Sequence, residues 1–506
     1  MQFYSSPFVE ALWSRTNDEV VLFEKQGHRT AGELKSHAVA MAAELRESGL
    51  QNGERVVLAI VPGWTFLVAV YALLLNGAEL VLIDPEMGEE NYREKLKQLD
   101  AKWAIADRRI LFVDEHPIIK WIIRRKGVAL PAIRKFEGFI FSVGPRIPLV
   151  KRARHLKLKS AELESVELVM NAPETPTFIV YTSGTVTAPK GVSHSLRSLG
   201  ESIRLLGELL RREGATHLAT HMPHYQLLGV IAGIRVSTWN PSQTPAQKLR
   251  FIQENQVTTL FGPPSDFLPL IQYLEANELE WPSSLKRIYL GSAPVHVSYL
   301  ERWFSSPSAP ECTCLYGMTE HLMGAYVDGR EKLQTEVDGD LLGHPFPGVS
   351  FREGDDGELE IKSDQIFLGY LEREPQSGWH PTGDYGAVDT QERVILKGRK
   401  KDMIIRGNFN IYPALYESTI EKIPGVDEAV LVGIYDEGRA DEVVGLIVQG
   451  KKELSENAIL TALKSGATSI DRAAWPDKVY FRDIPRSGRS GKVDKEKLRK
   501  WMKTQL

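Results

Sequence analysis

Short apolar runs alternate with segments of helical periodicity along most of the chain. Between the runs, apolar residues recur at the three- and four-residue spacing of amphipathic helices. The runs have the length of buried strands and comprise residues 56–61, 80–83, 177–180, 217–220, 258–261 and 287–289. Strands that alternate with helices in this way predict an α/β protein with largely parallel sheets.

The most apolar stretch, residues 56–83, is long enough to raise the question of a membrane-spanning helix. It is interrupted by Pro62 and Gly63, and again by Asn76 and Gly77. Because such residues terminate regular elements, the stretch divides into a short run, a segment of helical length and a second short run. We therefore predict a buried strand, helix and strand instead of a membrane span.

Beyond Gly348 the pattern changes to shorter alternating runs with close turns, as in residues 357–361. This pattern predicts a small antiparallel or barrel-like unit. A charged cluster at residues 398–402 then marks a linker, and the residues after it have the length of a separate α+β domain. The predicted organisation is an N-terminal domain at 1–398, a hinge at 399–402 and a C-terminal domain at 403–506.

The composition gives no sign of a nucleic-acid partner or of export. The 506 residues carry 62 Lys and Arg against 66 Asp and Glu, a formal net charge of −4, so no global attraction to nucleic acid is expected. Cys312 and Cys314 are the only cysteines; alternating along one strand, they are expected to be buried thiols. Residues 1–10 lack a basic region followed by an apolar run, so we expect no secretory signal and a cytoplasmic protein.

Residues 120–159 combine positive charge with apolar bulk. The segment contains twelve Lys or Arg but a single acid, Glu137, and large apolar residues such as Trp121, Ile122 and Phe139 lie among them. Basic and apolar residues mixed in this way can dock on an anionic membrane surface. The alternative is a surface insertion whose aromatic side chains pack on the main domain and whose charges are solvated.

A loop rich in glycine and hydroxyl residues follows the apolar run at 177–180. Backbone N–H groups and hydroxyls after a strand bind anions, and a lysine adds positive charge, so a polyphosphate is the expected guest. The polar residues of this loop are Thr182, Ser183, Gly184, Thr185 and Lys190. No Walker A motif is present, because the candidate that ends at Lys492 has Arg486 in place of the first glycine and Val493 in place of the hydroxyl residue.

This loop resembles the phosphate-binding signature of the ANL superfamily of adenylate-forming enzymes. Further segments that resemble the family follow in its order at residues 291–294, 316–320, 381–384, 398–399, 406–413 and 485–492. The resemblance covers essentially the whole chain. It implies an α/β fold with a large N-terminal domain of layered subdomains, a small β subdomain and a small mobile α+β C-terminal domain.

The resemblance also implies where the nucleoside of ATP binds. One face of adenine would pack on a turn whose small residues let the backbone approach closely, and Tyr316 would cover the other face. Asp384 would accept hydrogen bonds from both ribose hydroxyls, as an ionised carboxylate can, and Arg399 would reach the ribose from the hinge side. The residues of the adenine turn are Gly291, Ser292, Ala293 and Pro294.

Three further residues are implied in the chemistry. Thr319 resembles the hydroxyl that holds the α-phosphate and the substrate carboxylate. Glu320 resembles the ligand of Mg²⁺, a hard cation that prefers oxygen donors. Lys492 resembles the lysine that closes over the α-phosphate, where negative charge concentrates.

The implied reaction is in-line attack of a carboxylate on the α-phosphate of ATP, with pyrophosphate as the leaving group. Because both reactants are anions, positioning and charge neutralisation replace a protein nucleophile. In the family, the C-terminal domain then rotates about a hinge residue, here Lys401, and a thiol attacks the adenylate. Gly407 matches the glycine that lets the pantetheine of coenzyme A pass.

Two positions depart from the family pattern. Val186 and Thr187 stand where the phosphate loop usually has a hydroxyl residue and glycine, and Gln226 replaces the usual histidine at the start of a substrate-side helix. A positive φ at Thr187 would be strained. Together with Tyr225 and Gly229, Gln226 is expected to lie beside the acid.

An alkyl chain is the expected group on that acid. No Asp or Arg is evidently dedicated to an amino acid, whereas apolar residues such as Leu227, Leu228 and Phe261 near the expected tunnel suit an alkyl chain. We predict a medium-chain or long-chain fatty acid that is activated with ATP and Mg²⁺ and transferred to coenzyme A. Three alternatives stay open: a β-lactone synthetase for β-hydroxy acids, a ligase that loads an acyl carrier protein, and a non-catalytic nucleotide-binding homologue.

Overall fold

The structure is a computed structural model that describes most of the chain. The described residues are 6–24, 27–83, 89–125, 131–147, 150, 152–163, 172–181, 190–240, 243–371, 375–406, 409–436, 441–451, 453–464, 468, 470, 474–487 and 492–505. Within these ranges, no helix combines the length and apolar character that crossing a membrane requires.

The first part of the chain supplies most of an eight-stranded sheet. Its described elements are α1 Pro7–Trp13, β1 Val20–Glu24, β2 Gly27–Thr30, α2 Ala31–Glu47, β3 Arg55–Ala59, α3 Trp64–Leu75, β4 Glu79–Ile83, α4 Glu89–Gln98, β5 Trp103–Asp107, α5 Arg108–Glu115, α6 Pro117–Arg125, β6 Phe139–Val143, β7 Arg154–His155 and β8 Pro176–Tyr181. The strands β8, β4, β3, β5, β6 and β7 lie side by side in that order, all parallel.

The strand, helix and strand predicted for residues 56–83 are confirmed as β3, α3 and β4. Nearly every side chain of α3 is buried in the largest hydrophobic cluster of the described residues. A helix that is apolar on all sides is stable in water only inside a core, which explains why this stretch resembles a membrane span in composition. Gly63, with φ of 145°, forms the N-cap at which the chain turns into the helix.

The middle of the chain adds a second, larger sheet. Its elements are β9 Gly191–Ser195, α7 Leu196–Arg212, β10 His217–Thr220, α8 Pro223–Ala232, β11 Arg235–Thr238, α9 Pro245–Glu254, β12 Thr259–Gly262, α10 Pro264–Ala276, β13 Arg287–Leu290, α11 Val297–Phe304, β14 Glu311–Met318, β15 His321–Asp328, α12 Gly329–Gln334 and β16 Asp340–Pro345. The strands β11, β10, β12, β13 and β14 are parallel neighbours, and β15 and β16 continue the sheet antiparallel. Cys312 and Cys314 are free and buried on β14, as predicted.

The last part of the chain is built of short strands and three helices among its described residues. The elements are β17 Ser350–Glu353, β18 Glu358–Lys362, β19 Gly369–Tyr370, β20 His380–Val388, β21 Val394–Arg399, β22 Ile404–Arg406, β23 Phe409–Ile411, α13 Pro413–Ile420, β24 Val426–Asp436, β25 Asp441–Gly450, α14 Glu456–Lys464, β26 Lys478–Phe481, β27 Arg486–Ser487, β28 Lys492–Val493 and α15 Lys495–Lys503. The antiparallel character predicted beyond Gly348 is present in β17, β18, β20 and β21. These strands do not form an isolated unit, because β21 pairs with β16 and extends the larger sheet to thirteen strands.

Residues 404–502 have hydrophobic clusters of their own. One cluster joins Ile404, Ile420 and Leu446, and a second joins Val432, Ile447 and Met502. A segment with its own core is expected to fold as a unit, which supports the proposed C-terminal domain that begins after the hinge at 399–402.

The segment at 120–159 is more than a surface insertion, because it supplies the strands β6 and β7. Some of its aromatic side chains do pack inward, since Phe136 and Phe141 are buried and Trp103 stacks on Phe141. Others face solvent: Trp121 is 54% exposed and Phe139 is 69% exposed.

Candidate active site

The predicted site residues lie mainly at the carboxyl ends of parallel strands, where ligands of open α/β sheets bind. Residues 291–294 follow β13 directly, and Thr319 and Glu320 form the turn between β14 and β15. Ser292 has a left-handed φ of 66°, a strained conformation that is typical of binding sites in a residue other than glycine. The fold thus brings the adenine turn and the Thr319–Glu320 turn to neighbouring strand ends.

A glycine makes the Thr319–Glu320 turn sterically allowed. A Cβ at Gly317 would lie only 1.9 Å from the backbone oxygen of Leu322 on the returning strand. The pairing of β14 with β15 is irregular at this point, between Tyr316 and Met318. Gly317 therefore allows the strands β14 and β15 to approach each other closely at this turn.

Asp384 is buried and lies in a polar cluster with the buried Tyr316 and the half-exposed Arg399. The Tyr316 hydroxyl donates a hydrogen bond of 2.7 Å to Oδ2 of Asp384, and Nε of Arg399 lies 2.7 Å from Oδ1. Asp384 and Arg399 are directly opposite in the pairing of β20 with β21. The carboxylate is only 1% exposed, so the guanidinium compensates for its loss of solvation.

The cluster keeps hydrogen-bonding capacity for a ligand. Burial raises the pKa of Tyr316 well above its ordinary value, and the Asp384 carboxylate raises it further, so the phenol stays protonated as a donor. An ionised carboxylate offers about four lone-pair sites, and Tyr316 and Arg399 occupy about two of them. Asp384 can therefore accept further hydrogen bonds, as the predicted contact with ribose hydroxyls requires.

Glu320 is held by a tyrosine that the sequence analysis did not identify. The Tyr370 hydroxyl donates a 2.8 Å hydrogen bond to Oε1 of Glu320. The predicted phosphate ligand Lys190 lies against the same ring, with Nζ 4.6 Å from its centroid. Tyr370 reaches this position because β19 pairs with β9, which begins just after Lys190.

These residues fit a magnesium site of the kind that substrate phosphates complete. The described residues contain no group of three or more His, Cys, Asp or Glu side chains that could hold a metal ion. Mg²⁺ in phosphoryl-transfer sites is held by one or two carboxylates together with phosphate oxygens and waters. The Glu320 carboxylate, with one oxygen bonded to Tyr370, could provide that single hard ligand.

Histidines surround the Thr319–Glu320 turn. Nε2 of the fully buried His194 donates a 2.7 Å hydrogen bond to the carbonyl oxygen of Thr319 and thus carries the proton. Burial lowers the pKa of His194, so this ring stays neutral. Burial also lowers the pKa of His380, and it lowers the pKa of His321 to about 4.

The residues predicted beside the acid lie on α8. Gln226, which replaces the usual histidine, is fully buried: its Oε1 accepts a 2.9 Å hydrogen bond from the backbone N–H of Gly63, and its Nε2 donates to Thr238. This departure thus has a structural explanation, because the longer amide caps the start of α3. A Cβ at Gly229 would lie 1.9 Å from Val236, so the glycine also lets α8 pack on β11.

The third residue predicted beside the acid, Tyr225, packs its ring on that of Phe261, with centroids 3.7 Å apart. Leu227 and Leu228 are buried in the same hydrophobic cluster as Phe261. The neighbourhood of Tyr225 is therefore apolar, as an alkyl substituent requires.

The proposed hinge is anchored on both sides. Residues Lys400–Asp402 form one turn of 3-10 helix. Nζ of Lys400 lies 2.7 Å from both Asp356 and Glu358, which precede the hinge, whereas Asp402 pairs at 3.0 Å with Arg499 of α15. The residue between the two anchors is Lys401, the predicted pivot.

Several predicted residues are not tested by this geometry. Lys492 lies on β28, opposite Ser487 of β27, with its side chain exposed. Gly407 and the loop residues Thr182, Ser183, Gly184, Thr185, Val186 and Thr187 lie outside the described residues.

The main side chains that the sequence analysis missed are Tyr370 and His194. His194 lies on β9, four residues after Lys190, and its burial on a strand that follows a phosphate loop could have indicated a role beneath that loop. Tyr370 gave no comparable signal, because its importance comes from the pairing of β19 with β9.

Comparison with known proteins adds to this geometry. A model of the AMP-binding enzyme family matches residues 9–371. The chain is 27% identical to a methyl-dioxo-octahydroindenyl-propanoyl:CoA ligase of Mycobacterium tuberculosis, over 95% of this chain and 96% of the relative. It is 24% identical to a mitochondrial medium-chain acyl-CoA ligase of Mus musculus, over 97% of this chain and 85% of the relative.

A solved structure confirms the fold. The amide bond synthetase McbA from Marinactinospora thermotolerans superposes with a TM-score of 0.79 at 22% identity, over 98% of this chain and 99% of that one. The matches confirm the resemblance to the adenylate-forming superfamily and the predicted enzyme class, an AMP-forming acid–CoA ligase. With a family match over more than half of its length, the chain belongs to the AMP-binding enzyme family.

Proposed function

We propose that this protein converts a medium-chain or long-chain fatty acid to its acyl-adenylate, releases pyrophosphate and transfers the acyl group to coenzyme A. The observation that carries the proposal is the buried Asp384 carboxylate, which is held by Arg399 and by Tyr316, a residue of the strand that leads into the Thr319–Glu320 turn. This arrangement supports binding of a ribose and its phosphates at one edge of the sheet.

In the first step, a carboxylate oxygen of the acid bonds to the α-phosphorus of ATP and the bond to pyrophosphate breaks. Thr319 would orient the α-phosphate and the acid, and Glu320 would hold Mg²⁺, which supplies charge neutralisation on the phosphate oxygens. Lys492 would add its charge where the α-phosphate and carboxylate meet. No group of the protein is acylated or phosphorylated in this step.

In the second step, the thiolate of coenzyme A attacks the acyl carbonyl carbon, and AMP leaves with the bonding electrons. Movement about Lys401 would exchange the groups of the C-terminal domain that face the adenylate, and Gly407 would leave room for pantetheine. The similarity to CoA ligases of Mycobacterium tuberculosis and Mus musculus supports a coenzyme A acceptor.

The choice of a fatty acid rests on the apolar residues at the predicted acid site. The rings of Tyr225 and Phe261 pack together there, and Leu227 and Leu228 are buried in the same hydrophobic cluster as Phe261. Burying each methylene of an alkyl chain contributes about 0.8 kcal/mol, so affinity should rise with chain length until the available space is filled.

ATP–pyrophosphate exchange over a series of fatty and β-hydroxy fatty acids, with product analysis with and without coenzyme A, tests the proposal. We expect exchange with saturated acids and thioester only when thiol is added. A thiol-independent lactone from β-hydroxy acids would instead identify a β-lactone synthetase. Thioester formed on an acyl carrier protein but not on coenzyme A would change the acceptor, and no exchange with any acid would refute catalysis.

A ribose analogue tests the role of Asp384. Each hydroxyl–carboxylate hydrogen bond is worth about 1.5–3 kcal/mol, so 2′-deoxy-ATP or 3′-deoxy-ATP should be used roughly 10- to 100-fold less efficiently than ATP. We expect Asp384→Asn to lose this discrimination, whereas the exposed Asp338→Asn should keep it. Equal discrimination in Asp384→Asn would place the ribose elsewhere.

A further inference from the structure

Three large apolar side chains of α6 are exposed. Ile118 is 76% exposed, Trp121 54% and Ile122 45%. The spacing of three and four residues places these side chains on one face of the helix. A large aromatic and two β-branched side chains together form a contiguous apolar surface instead of the single exposed residues that are ordinary on proteins.

One charged side chain of this helix, Lys120, is turned inward. Nζ of Lys120 lies 2.5 Å from Oδ1 of Asp114, whose side chain is 1% exposed. The other oxygen, Oδ2, accepts a 2.6 Å hydrogen bond from the backbone N–H of Arg134. These contacts hold Lys120 against Asp114, while Ile118, Trp121 and Ile122 face solvent.

Exposed cations adjoin this apolar face. The segment at 120–159 has a net charge of +11, from twelve Lys or Arg and one acid, whereas the rest of the chain has −15. Arg134 and Arg152 are both exposed and link this charge to the base of α6. The backbone N–H of Arg134 donates to Asp114, and the guanidinium of Arg152 donates to the carbonyl oxygens of Arg134 and Phe136. The further exposed cations in the described part of the segment are Arg146, Arg154, Lys157 and Lys159.

The charge is concentrated enough to affect a neighbouring group. Burial lowers the pKa of His155, and the nearby cations Arg108 and Arg146 lower it further. Glu44 pairs with Arg154 at 3.8 Å and with Lys159 at 3.4 Å. Glu44, Asp114 and Glu137 together offset only part of the segment's twelve positive charges.

We propose that α6 docks this protein on the surface of an anionic lipid bilayer. Ile118, Trp121 and Ile122 would enter the boundary between headgroups and acyl chains, a position that tryptophan favours because its ring is apolar and its N–H is polar. The cations beside Asp114 would meet the lipid phosphates. The inference is independent of the adenylation chemistry, because none of these residues belongs to the candidate active site.

Sedimentation of the full chain with lipid vesicles tests the proposal. We expect binding to phosphatidylcholine vesicles that contain phosphatidylglycerol, weakening as salt screens the charges, and little binding to phosphatidylcholine alone. The triple variant I118S/W121S/I122S should lower the partition coefficient by about tenfold or more. The matched control Leu279→Ser, at a residue that is 51% exposed on another part of the chain, should bind as the unchanged protein does.

A site-specific probe reports whether α6 itself enters the lipid. Cys312 and Cys314 are 0% and 5% exposed, so a solvent-sensitive dye on Ile118→Cys should label nearly alone. Its emission should shift to the blue with anionic vesicles, whereas dye on Leu279→Cys should not shift. Absence of vesicle binding, or equal binding by the triple variant, would overturn the proposal. A dimer that the triple variant loses, without vesicle binding, would assign the face to a second copy of this chain.

Discussion

His194 is the buried side chain that fixes the backbone on which Thr319 and Glu320 lie. Its Nε2–H bonds the Thr319 carbonyl at 2.7 Å, so His194→Ala would free the turn without removing a ligand. Supporting residues of this kind typically change metal affinity by about 10- to 100-fold. We expect the Mg²⁺ concentration for half-maximal pyrophosphate exchange to rise by that factor in His194→Ala.

Two further variants separate support of the turn from general destabilisation. His194→Gln retains an N–H donor of similar reach and should recover part of the Mg²⁺ affinity, and the exposed His28→Ala should change nothing. An unchanged Mg²⁺ dependence in His194→Ala would show that the turn keeps its shape without this hydrogen bond.

His321 makes the stability of the fold depend on pH. Burial lowers the pKa of His321 in the folded state from 6.5 to about 4. The contribution of neutral His321 to the free energy of unfolding is therefore fully present above pH 6.5. As the pH falls from 6.5 to 4, the unfolded chain binds a proton that the folded chain does not, and the contribution falls by about 3 kcal/mol. The free energy of unfolding, measured in urea, should therefore change with pH at different slopes for His321→Gln and the unchanged protein within this window. Parallel slopes would contradict the neutral buried state of His321.

At the scale of elements, the hairpin of β14 and β15 depends on Gly317. A Cβ there would lie 1.9 Å from the Leu322 oxygen, whereas a Cβ at Gly291 would meet its nearest atom at 3.5 Å. Overpacking typically costs about 1–3 kcal/mol, so Gly317→Ala should lower the urea midpoint clearly and Gly291→Ala only slightly. Because the hairpin carries Thr319 and Glu320, pyrophosphate exchange should fall with Gly317→Ala. Equal stability of the two variants would show that the strands can separate without cost.

The sequence predicts elements that depend on local interactions better than contacts between segments that are far apart in the chain. The strand, helix and strand at 56–83 were predicted from the apolar composition and from the residues that interrupt it, among them Pro62 and Gly63, and they are confirmed. The pairing of β19 with β9, which brings Tyr370 to Glu320, joins segments far apart in sequence and has no local signal. The same holds for β6 and β7, predicted as part of an insertion, and for β16, which joins the antiparallel strands to the larger sheet.

The site was predictable to a similar extent. The segment motifs predicted a shared nucleotide site for Asp384 and Arg399, and the structure brings the two side chains together. Their contact with a ligand stays a prediction, which a family resemblance can make because it transfers residues that contact a shared ligand. The resemblance does not identify residues that only position others, such as His194. It also could not explain why glutamine replaces histidine at position 226. That explanation needed the position of the Gly63 N–H, which only the packed structure provides.

At the scale of the whole molecule, the described contacts of the last hundred residues with the rest include a ring contact and an ion pair. Tyr412 packs its ring on Tyr385, with centroids 5.0 Å apart, and Nδ1 of His296 lies 3.9 Å from Glu421. The ion pairs of the half-exposed Lys400 contribute little energy each. Contacts of this size can be broken and reformed in each turnover, which is what movement of the C-terminal domain about Lys401 requires.

If the C-terminal domain presents different groups in the two half-reactions, removing one of them should affect only one half. Lys492 is exposed on β28, and its implied role is confined to charge neutralisation at the α-phosphate. Removal of one such group typically costs about 100- to 1000-fold in rate. We therefore expect Lys492→Ala to lower acyl-adenylate formation by this factor, and to leave thioester formation from preformed acyl-adenylate and coenzyme A nearly unchanged. Lys500→Ala, at a 76% exposed side chain of the same domain, should leave both rates unchanged. Equal losses in both half-reactions would mean that Lys492 faces the adenylate throughout, and that the two steps share one arrangement of the domains.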